Sequence, residues 1–150
     1  MKAQPRLDPD LILFVVDDTV YYSKPIEGWP EYHATTCGHI ISTKGKTPAV
    51  LAKRVNDEYC YVTLSDRKYK KQYRVHRLIA AAFLECPDVD AKGRERLQVN
   101  HIDSDPSNNK VANLEWTSHA ENMNHAWMMK RIREAGEIQS DQRKRRATRA

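Results

Sequence analysis

Two short apolar stretches, Leu97–Ile102 and Leu114–Thr117, are separated by Asp103–Asn113, a segment dominated by Asp, Ser, Pro and Asn. Such residues favour turns, because short polar side chains hydrogen-bond the nearby backbone and tolerate the left-handed region. The pattern predicts a strand, a long shaped loop and a second strand. Ser118 follows at once, with Glu121 three residues on. That S-x-x-E pattern is a capping box, which satisfies two orphan N–H groups reciprocally and starts a helix. Met123, Trp127 and Ile132 read as the apolar contacts of this helix, and Gly136 as its end. In a compact unit this order brings the end of the first strand close to the first turn of the helix.

Upstream, Val75–Leu84 (VHRLIAAAFL) switches to helical periodicity, with Val75, Leu78, Ile79, Ala82 and Phe83 on one face. Cys86-Pro87 ends it, and Asp88–Arg96 is a charged connector. Earlier still the chain is a series of short β-like pieces. Leu11–Val16, a turn at Asp17-Asp18 and Val20–Tyr22 come first, then Tyr32–Thr35, His39–Ser42, Val50–Ala52 and Tyr59–Leu64, followed by a basic turn over Ser65–Lys71. Residues 1–10 carry little pattern. The predicted class is α+β. A small antiparallel β module occupies 1–74, a connecting helix and the strand–loop–strand–helix unit occupy 75–136, and a flexible basic C-terminal helix or tail occupies 137–150.

The chain has 150 residues, a net charge of +5, 40% hydrophobic and 30% charged residues, which suits a globular domain with a modest core. The charge excess sits at the end, where Arg143, Lys144, Arg145, Arg146 and Arg149 face Asp141 alone. A basic tail of this kind suits phosphate backbones. The β module adds Lys44, Lys46, Lys53, Arg54, Arg67, Lys68, Lys70, Lys71 and Arg74, interleaved with Tyr59, Tyr61, Tyr69 and Tyr73, and the helix adds Arg77. These are the candidate DNA-binding residues, since a β ribbon fits the major groove of duplex DNA as well as a helix does; the same lysines would also keep an edge strand soluble. Cys37, Cys60 and Cys86 form no C-x-x-C pair, so the expectation is three reduced, partly buried thiols, with neither a disulfide framework nor a structural zinc site. No apolar run approaches the roughly 18 residues of a membrane span. The expected compartment is the cytoplasm, with no membrane partner.

An imidazole at the end of a strand, His101, near an amide one turn into the following helix, Asn122, has hydrolytic potential. Oxygen ligands hold a hard divalent cation while a free imidazole, with an unperturbed pKa of about 6.5, takes a proton from water. A lone strand histidine is nonetheless more often structural. By the same weighing His76 reads as packing or a phosphate contact, His119 as surface, Asp103 as a turn residue, and Trp116 and Trp127 as core.

The stretch VNHIDSDPSNNKVANLEWTSHAENMNHA resembles the HNH (His-Asn-His/Asn) nuclease motif of phage homing endonucleases, through its N-H-x-D start, the Asn-Asn pair in the loop, the N-L-x-W second strand and the E-N helix opening. IEGWPEYHATTCGHIIS resembles the modular DNA-binding segment that often precedes this nuclease, and VHRLIAAAFL is similar to the helix joining the two. Together the resemblance covers about residues 26–126. It implies a ββα-metal (His-Me finger) unit and one-metal hydrolysis of DNA, in the host cytoplasm if the chain is phage-encoded. His101 would be the general base, and Asn100 and Asn122 would hold one Mg²⁺ or Mn²⁺, with His125 as an alternative ligand. Asn113 would brace the loop that orients His101. Several relatives carry Asp where this chain has Asn100, and two neutral amides bind a dication more weakly than a carboxylate plus an amide. The competing expectations are a DNA-binding protein with a decayed nuclease site and a basic RNA-binding protein without catalysis. Oligomeric state is not legible in any motif.

Overall fold

The computed structural model describes residues 9–85 and 88–148. Alternating β-branched and aromatic residues form eight strands before Val75. The first five, β1 (Ile12–Val16), β2 (Thr19–Ile26), β3 (Trp29–Thr35), β4 (Ile40–Ser42) and β5 (Ala49–Val50), make one antiparallel sheet in sequence order. The next three, β6 (Arg54–Asn56), β7 (Tyr59–Ser65) and β8 (Lys70–Arg74), make a second sheet with β7 in the centre. One small sheet was expected and two are present. The two-residue turns Asp17-Asp18 and Asp57-Glu58 have positive φ at both positions, the geometry that matches the twist of paired strands.

Within Ser65–Lys71, expected as a basic turn, residues 66–69 form the reversal, while Ser65 ends β7 and Lys70 and Lys71 already belong to β8. Asp66 closes the reversal early, its Oδ1 accepting from the N–H groups of Lys68 and Tyr69 at 2.7 Å each. Lys70–Arg74 then pairs with β7 in continuous register from Ser65↔Lys70 to Tyr61↔Arg74. Helix α1 (Val75–Phe83) follows directly. The expected stop at Cys86-Pro87 lies outside the described residues.

α1 buries Val75, Leu78, Ile79 and Ala80, and packs against β2, β3, β7, β8 and both strands of the hairpin that follows. That hairpin is β9 (Gln98–His101) and β10 (Leu114–Thr117), antiparallel, with Leu114 opposite His101 and Glu115 opposite Asn100. One core cluster runs through all of these layers. It takes Ile26, Tyr32, Ala34 and Ile40 from the first sheet, Cys60, Val62 and Leu64 from the second, and Val99 and Leu114 from the hairpin. Cys60 is buried and Cys37 is exposed, both as free thiols, so the partial burial expected of Cys37 is not found.

The last helix, α2 (His119–Ala147), begins with the expected capping box: Ser118 Oγ accepts from Glu121 N–H at 3.2 Å and the Glu121 carboxylate accepts from Ser118 N–H at 2.9 Å. It does not stop at Gly136. That glycine lies in open space with ordinary helical φ, and an exposed mid-helix glycine costs only about 1 kcal/mol against the strong helix formers on either side. The segment expected to be a flexible tail is therefore helical to Ala147, with Lys144, Arg145 and Arg146 in the last turn, where they complement the helix dipole. Met123, Trp127 and Ile132, expected as core contacts, are exposed. Only the first turns of α2 meet the hairpin, and the Trp127 ring instead carries the Arg131 guanidinium, 4.6 Å from its centroid. Among the described residues no helix is long and apolar enough to cross a membrane.

The connector before β9 is clamped to the start of α2. Buried Asp90 accepts from Ser118 Oγ at 2.7 Å and from the Arg94 N–H and Nε at 2.9 and 2.8 Å, while Arg96 grips Glu121 at 2.9 Å. The Ser118 hydroxyl, ahead of the backbone N–H groups, holds the Asp90 carboxyl well below the usual carboxylate range. A depressed native pKa contributes stability that is fully present above the unfolded value of about 3.9 and is lost as pH falls through the folded one. Asp90→Asn should therefore lower the urea midpoint near neutral pH, and the gap to wild type should narrow on acidification below about pH 4. A pH-independent gap would show that the charge is not what matters.

Candidate active site

The loop between β9 and β10 is built around two side-chain hubs. Asn113, at the end of a 3-10 turn (Val111–Asn113), accepts on Oδ1 from Asp103 N–H at 3.0 Å and donates from Nδ2 to Asp103 Oδ1 at 2.8 Å and to the Asn108 carbonyl at 2.9 Å. Its own carbonyl accepts from Ile102 N–H at 2.9 Å. Asp103 in turn accepts from Asn108 Nδ2 and Asp105 N–H, both at 2.8 Å; these bonds, the Asn108 amide first, hold its carboxyl below the ordinary range. Ser104 adopts φ +63 to turn the chain immediately after the strand. The Asn and Asp residues that marked a shaped loop are thus its hydrogen-bonded frame.

His101 is buried at 6% exposure, and its Nε2–H donates to Asn109 Oδ1 at 2.9 Å. With a carbonyl oxygen on Nε2, the neutral ring carries its proton there and keeps the Nδ1 lone pair. Nδ1 has no partner among the described residues. Two aromatic rings wall the imidazole. His76 of α1 lies edge-on with centroids 4.9 Å apart, and Tyr59 of β7 is 6.2 Å away and 5.2 Å from His76. Burial, with help from His101, Arg74 and Arg77, pushes His76 down to about 3, so it stays neutral and serves as packing.

Asn109, the second member of the Asn108-Asn109 pair, is the residue that bonds the His101 ring. It is 2% exposed, and its backbone lies under Gly38 of the β3–β4 turn. A Cβ on Gly38 would come within 2.7 Å of the Asn109 carbonyl carbon, and the φ of +87 there also favours glycine. Val111 N–H donating to the Thr36 carbonyl at 3.0 Å completes this contact between the first sheet and the loop. The signal for Asn109 was present only as the second member of the Asn108-Asn109 pair.

An open cleft of about 240 Å³ is lined by Asn100, His101, Asn122 and His125, together with Glu58 and Tyr59. Asn100 donates from Nδ2 to Glu115 Oε1 at 2.9 Å, and Asn122 donates from Nδ2 to Gln98 Oε1 at 3.0 Å. Each amide thus has its nitrogen tied to an acceptor, while its Oδ1 has no partner among the described residues. Two oriented carbonyl oxygens are the donors a hard divalent cation prefers, so these residues fit one. Among the described residues no three His, Cys, Asp or Glu side chains converge as a cage, and the two amide oxygens stand in a cleft that Glu58 also lines. His125 donates from Nε2 to the Ile102 carbonyl at 3.1 Å, which leaves Nδ1 as its remaining nitrogen.

The basic residues divide between surfaces. Arg54, Tyr61 and Arg74 stand opposite one another across the three-stranded sheet, beside Thr63 with Gln72 and Ser65 with Lys70. Arg74 stacks on Tyr59 and Tyr61, its guanidinium carbon 5.0 and 5.8 Å from the ring centroids, which joins this face to the cleft. Arg67, Lys68 and Lys71 are exposed on the same hairpin and Arg77 on α1. Lys44 and Lys46 belong to the loop after β4, where Lys44 bonds Ser65, and Lys53 is half-buried, its ammonium pushed down by desolvation.

Fold and site together define a ββα unit in which a buried imidazole lines one cleft with two side-chain amides. Residues 73–124 match the family model described as HNH endonuclease, so this segment of the chain is similar to that family. It is similar to two proteins of Acanthamoeba polyphaga mimivirus named as uncharacterized HNH endonucleases. One is 32% identical over 102 residues, 67% of this chain and 28% of that protein; the other is 32% identical over 103 residues, 68% and 24%. The chain therefore spans about a quarter of the length of these relatives. A solved structure of the HNH homing endonuclease I-HmuI, on its DNA binding and cleavage, matches with a TM-score of 0.57 at 26% identity, over 77% of this chain and 64% of that one.

The His101–Asn109 bond makes a spectroscopic prediction. In ¹⁵N spectra of ring-labelled protein, neutral His101 should be the Nε2–H tautomer, and Asn109→Ala should convert it to a mixture. A wild-type Nδ1–H tautomer would overturn the assignment.

Proposed function

We propose that this chain is a metal-dependent DNA endonuclease of the homing type that hydrolyses a phosphodiester bond. The observation that carries this reading is the cleft itself: a buried imidazole with one nitrogen held by Asn109 and the other unbonded, beside two amide oxygens whose nitrogens are already engaged. His101 Nδ1 takes the proton of the attacking water, and Asn109 holds the ring in the tautomer able to do so. Asn113 acts one step further out, by fixing the loop that carries Asn109. Asn100 and Asn122 hold the cation, Mg²⁺ or Mn²⁺, which when bound neutralises the scissile phosphate and the charge developing on the leaving 3′ oxygen. One such site per chain cuts one strand.

The three-stranded sheet is the proposed duplex-binding face, with Arg54, Lys70 and Arg74 meeting phosphates and the tyrosines beside them meeting sugar or base edges. The basic end of α2 adds sequence-independent contacts. This reading places DNA recognition mainly before Val75 and chemistry after it.

Nicking of supercoiled plasmid tests the reading. Mg²⁺ or Mn²⁺ should support nicking, EDTA should abolish it, and His101→Ala should slow it by about 10²–10⁴-fold, the usual contribution of a general base. Nicking that survives either EDTA or the substitution would overturn the mechanism. DNA binding without cleavage under any metal would favour a DNA-binding protein with an inactive site. For the binding face, Arg54→Ala or Lys70→Ala should weaken binding to all sequences alike and reduce the salt slope by about 1 each. An effect confined to one target sequence would mean that these side chains read bases.

A further inference from the structure

The cation site described above has no charged ligand, and the structure supplies a carboxylate one hydrogen bond away. We propose that Glu115 is a positioning residue for that site, providing through Asn100 the negative charge that the amides lack. The inference rests on the reading of Asn100 and Asn122 as cation ligands.

Glu115 and Asn100 stand directly opposite in the β9–β10 register. Cross-strand neighbours of this kind lie close enough for side-chain contact on one face of the hairpin. Asn100 is 7% exposed, and its Nδ2–H donates to Glu115 Oε1 at 2.9 Å. This bond does two things. It sets the amide plane, so Oδ1 is the oxygen presented rather than the nitrogen. It also polarises the amide, because a charged acceptor on the N–H side raises the negative charge carried by the carbonyl oxygen. The second ligand has no such help. Asn122 donates to the neutral oxygen of Gln98, whose nitrogen in turn meets His119 Nδ1 at 3.2 Å. Glu58 also lines the cleft, but its carboxylate makes no hydrogen bond to Asn100, His101 or Asn122. Of the two carboxylates, only Glu115 is coupled to a ligand.

Removing an outer partner of a metal ligand typically weakens affinity by about 10–100-fold. Glu115 is exposed, so screening by water places the expected effect near the lower end. Its exposure also makes substitution compatible with folding, and Glu115→Gln keeps an acceptor oxygen while deleting the charge. A role confined to strand pairing would therefore survive that change.

The test is Mn²⁺ binding to the full chain, followed by the electron paramagnetic resonance signal of free Mn²⁺, with melting temperature as the control for folding. Glu115→Gln should raise the Mn²⁺ dissociation constant about tenfold. Glu137→Gln, on the exposed distal stretch of α2, should leave it unchanged, and Asn122→Ala should raise it further than either. Combining Asn100→Asp with Glu115→Gln moves the charge onto the ligand itself and should restore wild-type affinity or better. If Asn122→Ala cripples binding and Glu115→Gln does not alter it, the inference fails and the cation site stands. If the wild type binds no Mn²⁺, or binds it as Asn122→Ala does, the cation site falls and Glu115 with it. If Asn100→Asp fails to rescue Glu115→Gln, Glu115 is not acting through its charge, and the inference is again overturned.

Discussion

A buried imidazole that must keep one nitrogen available needs its other nitrogen held, and much of the second half of this chain follows from that requirement. His101 sits at the end of β9 with only 6% of its surface exposed. An unsatisfied buried polar atom costs about 1–3 kcal/mol, so the ring needs a partner that is itself immobile. Asn109 is that partner, and it is immobile because the loop is framed by Asn113 and Asp103 from within and pressed by Gly38 from outside. α1 closes the remaining side by placing neutral His76 against the ring. Local turn chemistry, sheet packing and the site's chemistry thus act on one bond.

The same economy holds for charge. The side chains in contact with His101 are the Asn109 amide and the His76 and Tyr59 rings, with Glu58 lining the same cleft, while Asp90, Asp103, Glu115 and Glu121 bond other parts of the frame. Asp90 and Glu121 secure the start of α2. No residue of that helix is buried, so its docking depends on polar contacts: the Asp90–Ser118 bond and the Arg96–Glu121 pair at its start, then Asn122 to Gln98 and His125 to the Ile102 carbonyl. A cap alone is worth about 1 kcal/mol, and these contacts add to it at the same end of the helix. Their position matters because Asn122 lies among them, and a helix free to swing would carry it away from Asn100.

Where a feature depends on local chemistry, it was legible in the sequence. The capping box at Ser118, the hairpin turn at Asp17-Asp18, the helix from Val75 and the loop frame at Asn113 all follow from residues close together in the chain. Features that depend on distant partners were not. Nothing near Asn109 says that its backbone meets Gly38, since that contact spans two sheets. Glu115 could be placed opposite Asn100 only once the loop length was converted into register. The helical run past Gly136 was misread because a glycine that would cap a marginal helix is tolerated inside a strong one. Met123, Trp127 and Ile132 share an apolar character that signals burial in most helices, and here no layer among the described residues covers them. For the site, spacing alone paired His101 with Asn122 and left a structural histidine the commoner reading; Asn100 was named through the resemblance to the HNH motif, while the residues that hold these side chains in place emerged only from geometry.

The close approach of Gly38 to Asn109 ties together two distant parts of the chain. The β3–β4 turn belongs to the first sheet, yet it forms the floor on which the loop after His101 rests. Any side chain at position 38 would press on the Asn109 backbone and, through it, on the ring of His101. The first sheet and the loop therefore constrain each other's sequence through one missing side chain.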